Sequence, residues 1–552
     1  MTATVAILGG GIGGLSAAHE LAERGFDVAV YEQRDRFGGK ARSVPVPDSG
    51  GDGRPLPGEH GFRFFPGFYR HVTDTMARIP YADNDRGVAD NLVSTSQMLL
   101  ASGDGGVTLP TETPGSVRAW RELLTSMFAR DQVPGEESNF FVDRMLTFLS
   151  SSATRRESEY EHTPWWEFID AEHRSRAFRQ YIGYGITQSL VAMRPQVSST
   201  RTIGRIYVQM LRGLFDPSID ADALLNGPTN EVWIDPWVDY LDSLGADLHP
   251  GTEVRRVHCD GRRVTGVTID DGREREIAAD YYVAAVPVEG LCHLLTDDLR
   301  RAAPSLRGVE RLDTAWMNGL QFYLTEDVPT AAGHVVYYDS PWALTSISQR
   351  QFWDDDAFDL TECADGEVAG VLSVIVSDWE SPGVVYDKPA RECTPEEIRA
   401  EVWIQMKRHL GDELRAEAVA DWFLDPAIEH TDDGVVNREP LLINTAGSLR
   451  HRPDAATEIP NLTLAADYVR TETDLACMES ANEAARRATN AIIERSGADV
   501  PTCDLWEFRE PAVFEPLKRL DAVRHRFGRP HPGEMSKPLW RTALNARSAL
   551  RF

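Results

Sequence analysis

The sequence predicts an α/β protein in which a domain built on parallel strands is interrupted by a second, mixed α+β domain. Three observations predict it. A strand, glycine turn, helix and second strand open the chain. A strand-rich segment lies near residues 248–287. A strand followed by an alanine-rich helix lies near residues 461–493. Each has the period or composition of its element, and the long stretches between them do not continue the pattern.

The opening unit is the most specific. Val5-Ala6-Ile7-Leu8 is an apolar strand, and Leu15, Ala18, Leu21 and Ala22 recur at helical spacing. Gly25-Phe26-Asp27 turns the chain into Val28-Ala29-Val30-Tyr31, and Glu32 stands at the strand tip. Between strand and helix, Gly9-x-Gly11-x-x-Gly14 has the spacing of a Rossmann-like dinucleotide turn, with Gly13 beside the last glycine. Gly9 permits the tight turn, Gly11 lets backbone approach a pyrophosphate, and Gly14 lets helix and strand pack closely. The helix N-terminus offers unpaired N–H groups and partial positive charge to the phosphates. Glu32 is placed to accept hydrogen bonds from ribose hydroxyls and to disfavour a 2′-phosphate.

The following residues point to FAD rather than NAD. Gly38-Gly39-Lys40-Ala41-Arg42 brings two glycines and two cations soon after the acid, where Gly39 allows a close pass and Lys40 and Arg42 reach towards pyrophosphate or flavin. A strand around Val254 is placed to present backbone groups to an adenine. Val264–Ile269 and the Asp271-Gly272 turn read as a hairpin, and Ala279–Pro287 as a buried strand. Asn461–Tyr468 reads as a strand carrying Asp467 near its end, set for the ribityl chain or the phosphates. The helix that starts near Met478 aims its positive end at a flavin pyrimidine.

Together these segments resemble the FAD-dependent amine oxidase and carotenoid desaturase superfamily, and the phytoene desaturase-like branch more closely. The marks of that branch are Gly38-Gly39-Lys40 and Gly58-Glu59-His60-Gly61-Phe62 with Tyr69 beyond. Asp467 and Met478-Glu479-Ser480-Ala481 resemble the family's C-terminal flavin motif, with Ala466 where glycine is usual. The resemblance covers about residues 1–75, 230–290 and 440–495. It implies a Rossmann-like FAD-binding domain with an inserted substrate domain, and a flavoenzyme acting on a lipophilic polyene or isoprenoid.

Size and charge bound the rest. The 552 residues suffice for two or more domains. With 57 basic and 86 acidic residues the net charge is −29, which disfavours nucleic acid and anionic lipid headgroups alike as partners. Cys259, Cys292, Cys363, Cys393, Cys477 and Cys503 form no C-x-x-C pair, so neither a metal site nor a redox dithiol is indicated. No signal peptide or membrane-spanning run is evident, and a cytoplasmic protein, peripheral to the membrane at most, is the expectation.

The expected flavin domain is discontinuous, at 1–110, 230–305 and 440–500. The substrate domain combines 111–229 and 306–439, and 501–552 forms a C-terminal extension that either wraps the body or reaches a partner subunit. Residues 111–229 read as mostly helical, with Trp120, Leu123, Leu124, Met127 and Phe128 on one face. This region is rich in aromatics: Phe140, Phe141, Phe148, Trp165, Trp166, Phe168, Tyr181, Tyr184 and Tyr207. For any one of them helix core is the better reading; only the resemblance raises the alternative of a substrate wall. Residues 306–439 show strands at 319–324 and 368–376 and a capped helix from Pro395.

The chemistry expected is dehydrogenation, with hydride passing from a substrate C–H to flavin N5 and a proton leaving the adjacent carbon. His60 and Glu59 are the candidate proton acceptors, with Arg63, Tyr69, Tyr468 and Arg470 as site-shaping residues. Oxygen or a quinone would reoxidise the flavin, and a carrier or a membrane would deliver the substrate. The alternatives are an amine oxidase and a redox-neutral isomerase or dehydroxylase. Enzymes of the amine oxidase class usually hold a lysine near flavin N5, and Asp313–Leu324 contains none. A non-enzymatic prenyl-protein escort is a further alternative, which a flavin absorption band would count against.

Overall fold

In the computed structural model the described residues are 3–51, 53–101, 118, 121, 133–185, 187–215, 222–432 and 434–534. Five parallel strands form the first sheet, in the order Leu462–Leu464, Tyr281–Ala284, Thr4–Leu8, Asp27–Tyr31 and Asp247–His249. Val5 to Leu8 are buried, as a central parallel strand covered on both faces requires. Helices Ile12–Ala22 and Met478–Ser496 pack against each other on this sheet.

Two glycines set that packing. A Cβ on Gly14 would stand 1.9 Å from the Gly9 carbonyl oxygen, and one on Gly13 would stand 1.9 Å from the Ala465 oxygen. The helix therefore lies closer to the turn and to the strand end at 462–466 than any larger residue permits. Beside this sheet, Glu253–Cys259, Val264–Asp270 and Glu274–Ile277 form an antiparallel three-stranded sheet, with Gly272 in the left-handed region at φ 97°.

The second domain carries a six-stranded sheet in the order Val419–Leu424, Asn318–Leu324, Gly370–Val376, Thr345–Ser348, Gly333–Tyr337 and Gln97–Ala101. Its pairings are antiparallel except the last. Gln97–Ala101 thus lies on this sheet although it falls inside the 1–110 stretch that the sequence assigns to the flavin domain. Its pairing partner, more than 230 residues away in sequence, leaves no local signal. Helix Pro395–Leu410 begins with a capping box between Thr394 and Glu397, and Ile398, Val402 and Met406 are buried against the sheet.

A helical lobe, including Gly135–Ser150 and Thr200–Phe215, completes the molecule. Its core holds Phe141, Phe148, Trp165, Phe168, Phe178 and Tyr207. The face predicted at Trp120, Leu123, Leu124, Met127 and Phe128 lies outside the described residues. The extension wraps the body: the Trp506 N–H donates to His71 Nε2 at 3.1 Å, Phe508 packs edge-on against Phe68, and Phe514 is buried in the helical lobe. Trp540 and Phe552 lie outside the described residues.

Candidate active site

A cavity of about 850 Å³ runs from the glycine turn to the six-stranded sheet. Its first half is lined by Gly9, Gly11, Gly13, Glu32, Gly39, Lys40, Val254, Asp467 and Met478. Sequence positions hundreds of residues apart thus meet on one wall. Gly14 lies behind it, holding the helix to the turn. Arg42 is not on the wall: its Nη2 donates to Glu439 Oε1 at 2.9 Å and its Nη1 to the Gly39 carbonyl at 2.7 Å. Lys40 lines the cavity but its ammonium donates to the Pro440 carbonyl, with Glu289 3.7 Å away. The two cations thus tie the Gly38–Arg42 turn to the 439–440 segment, and sequence alone gives no sign of that partner.

The donor set fits a dinucleotide. Helix Ile12–Ala22 starts at Gly11 and helix Met478–Ser496 at Cys477, and neither N-terminus receives a side-chain cap. Both open on the same half of the cavity, so two sets of backbone N–H groups face the space. A Cβ at Gly11 would meet nothing nearer than Gly39 Cα at 3.6 Å, which leaves the backbone open to close approach. Glu32, 4% exposed, accepts from the Gly10 N–H at 2.8 Å and the Arg34 N–H at 3.0 Å. These bonds fix its carboxylate at the cavity edge beside Val254.

Glu479, in the first turn of the second helix, anchors the opposite wall. Its carboxylate accepts from the backbone N–H groups of Arg70, His71 and Val72 at 2.8–2.9 Å and meets His71 Nδ1 at 2.7 Å. Burial alone would push this carboxyl up; His71 and the backbone donors hold it below the usual range. Asp474 anchors the helical lobe in the same way: Arg452 Nη1 donates to it at 2.5 Å, and Arg201, at the start of helix Thr200–Phe215, pairs with its other oxygen.

The second half of the cavity is mostly apolar, with Phe62, Phe64, Phe68, Ile206, Met210, Met317, Ile375 and Leu475 on its walls. His60 lies here, with Nδ1 2.6 Å from Asp425 Oδ2. Asp425 also accepts from Asn318 Nδ2 at 2.6 Å, and Asn437 Nδ2 donates to Asn318 Oδ1 at 2.7 Å. Burial would raise the Asp425 carboxyl; the His60 ring and the Asn318 amide bring it below its ordinary value. The segment is held from behind by the Gly319 N–H, which donates to the His60 carbonyl at 2.6 Å. A Cβ on Gly319 would meet that oxygen at 2.5 Å.

Glu59 does not reach the cavity. Its Oε1 accepts from the Thr229 N–H at 2.9 Å and hydroxyl at 2.7 Å, behind the wall. Strand Pro57–Glu59 ends at Glu59 and the chain bends at His60, so Glu59 stays with the strand behind the wall while residues 60–64 line the cavity. Arg63 and Tyr69 line it; Tyr468 and Arg470 do not. Tyr69 also hydrogen-bonds Cys477, whose thiol burial pushes up to about 12.

Two further findings escaped the sequence. His334, 5% exposed, lines the cavity between Phe62 and Phe64, each ring 4.9 Å away, and burial brings its pKa down to about 4. The aromatic side chains facing the cavity come from the Phe62–Tyr69 motif and from Tyr31. None of the nine aromatics of the first insertion lines it. That insertion contributes Ser189, Val191, Met193, Ile206 and Met210 instead, and its rings pack among themselves.

The chain resembles known proteins along most of its length. The profile of the family described as "Flavin containing amine oxidoreductase" matches residues 12–493. The chain is 23% identical to a 15-cis-phytoene desaturase of Synechococcus elongatus over 89% of this chain and 96% of that one. It is 24% identical to a carotenoid phi-ring synthase of Streptomyces griseus, covering 94% and 93%. Among solved structures it superposes on cyclohexylamine oxidase from Brevibacterium oxydans with a TM-score of 0.61 at 14% identity, covering 90% of this chain and all of that one.

Proposed function

The chain belongs to the flavin-containing amine oxidoreductase family, and from that premise we propose that this FAD-dependent oxidoreductase desaturates a lipophilic polyene or isoprenoid. The observation that carries the reading is the apolar second half of the cavity, joined end-on to the dinucleotide half. Such a wall suits a long hydrocarbon and gives a cationic amine no partner: the acids lining the cavity, Glu32, Glu253, Glu289, Glu439 and Asp467, belong to its dinucleotide end. The relatives named as desaturases of phytoene and zeta-carotene support the same substrate class.

When bound, FAD would supply the two-electron acceptor for the substrate's hydride. The chain's own residues do the rest. The aromatic and aliphatic walls orient the substrate and exclude water. His60, oriented by Asp425, takes the proton from the adjacent carbon; the Asp425 carboxylate stabilises the ring once it is charged. Glu32 and Val254 would hold the adenosine end, the Gly9–Gly14 turn the pyrophosphate, and Asp467 and the Met478 N-terminus the flavin end. Oxygen or a quinone would serve as the final electron acceptor, and a membrane or carrier would deliver the substrate.

Anaerobic mixing of the holoenzyme with polyenes, hydroxylated isoprenoids and amines tests the reading. Polyenes are expected to bleach the flavin. Bleaching by amines alone would replace the reading with amine oxidation.

A further inference from the structure

Helix Glu515–Arg526 carries an unusual surface. Its inner face is fixed: Phe514 just before it and Asp521 are fully buried, and Asp521 accepts from the Ser152 N–H and hydroxyl at 2.9 Å and from Arg155 Nε at 3.0 Å. That anchoring turns Leu520, Val523 and Phe527 outwards, at i, i+3 and i+7, with 53%, 56% and 73% of their surface exposed. They are three of the nine large hydrophobics exposed among the described residues, and they share one stripe. Arg519 and Arg526 are exposed on one flank of that stripe, and Arg529 follows it.

The charge around the stripe opposes that of the rest of the molecule. The described residues 515–534 hold five lysines and arginines and three acids, of which Asp521 is buried, in a chain whose net charge is −29. A basic segment alone would suit any polyanion. An apolar stripe at its centre does not suit nucleic acid, whose outer surface is phosphate and sugar; it suits the boundary between lipid headgroups and acyl chains.

We infer that this helix is a docking surface for an anionic lipid bilayer, entered by Leu520, Val523 and Phe527 and held by the flanking arginines. The helix packs on the helical lobe that also supplies Val191, Met193, Ile206 and Met210 to the cavity. The inference rests on the proposed lipophilic substrate only for its purpose; the surface stands on exposure and charge.

Flotation of the full-length holoenzyme with phosphatidylglycerol-containing vesicles tests it, against vesicles of phosphatidylcholine alone. Binding to the anionic vesicles is expected, weakening about tenfold or more at high salt. The Leu520→Asp/Val523→Asp/Phe527→Asp variant should lose it, and Arg519→Glu/Arg526→Glu should weaken it about tenfold or more. Both should retain bound flavin and wild-type anaerobic reduction by detergent-dispersed substrate. Undiminished flotation of the triple variant, or no enrichment of the wild type on anionic vesicles, overturns the inference. So does a fall from dimer to monomer mass in the triple variant, which would make a second copy the occupant. Failure of detergent-dispersed polyene to reduce the flavin, with flotation intact, would instead overturn the desaturase reading and leave the surface standing.

Discussion

At Glu32 a single carboxylate joins the glycine turn to the tip of strand Asp27–Tyr31. It already accepts from Gly10 and Arg34, so its position does not depend on ligand. Replacing Glu32 with Ala removes charged hydrogen bonds, each set costing about 1.5–3 kcal/mol, and FAD affinity in a titration should fall accordingly. Unchanged affinity would remove the ribose role. His60 is argued from its place on the wall and its 2.6 Å contact with Asp425. His60→Ala should keep FAD and slow flavin reduction by about 10²-fold or more, the usual worth of a positioned proton acceptor. Rapid mixing reads this directly, and normal reduction would reduce His60 to a scaffold residue. Both residues were legible in sequence because each sits inside a dense motif. Glu59 was equally conspicuous, yet it closes strand Pro57–Glu59, and its carboxylate is taken up by Thr229. His334 was invisible: a lone histidine in a strand is ordinary until Phe62 and Phe64 are seen around it.

Between elements, buried ion pairs connect what the sequence separates. Glu479 fastens helix Met478–Ser496 to helix His71–Met76 through three backbone donors and the His71 ring. Glu479→Ala leaves that ring and those donors unpaired in the interior, a loss of about 3–5 kcal/mol, measurable by denaturant unfolding. The pH dependence follows from the same contact. The folded-state pKa of Glu479 is depressed, so its stabilisation is full above the ordinary carboxyl range and is lost as pH falls through the depressed value. The acid side of the wild-type stability profile should therefore flatten in the variant. Gly13 makes a second element-scale prediction. Its missing Cβ lets helix Ile12–Ala22 meet the Ala465 carbonyl. Gly13→Ala must push the 462–466 segment away, and FAD retention should fall further than for Glu32→Ala. Helices, the Asp271-Gly272 hairpin and the Thr394 cap were legible because their signals are local. The pairing of Gln97–Ala101 with Gly333–Tyr337 was not, because register between distant strands leaves no periodicity in either.

Across the whole molecule, three distant segments converge on one cavity whose two halves differ in chemistry. The dinucleotide half was readable from glycines, one acid and a helix start, since binding phosphates and ribose constrains residue types at fixed spacing. The substrate half was not, since an apolar wall constrains only size and polarity. The rings of the helical insertion, the most conspicuous aromatic cluster in the sequence, form a core of their own. The wall was built instead from Phe62, Phe64 and Phe68, inside the motif first singled out for His60. In the proposed reaction this wall holds a chain of carbons for oxidation at the flavin. Anaerobic single turnover with a polyene, followed by mass analysis of the product, tests it most directly. The expected product is two hydrogens lighter than the substrate and forms in step with flavin bleaching. A product of unchanged mass over an unbleached flavin would contradict it.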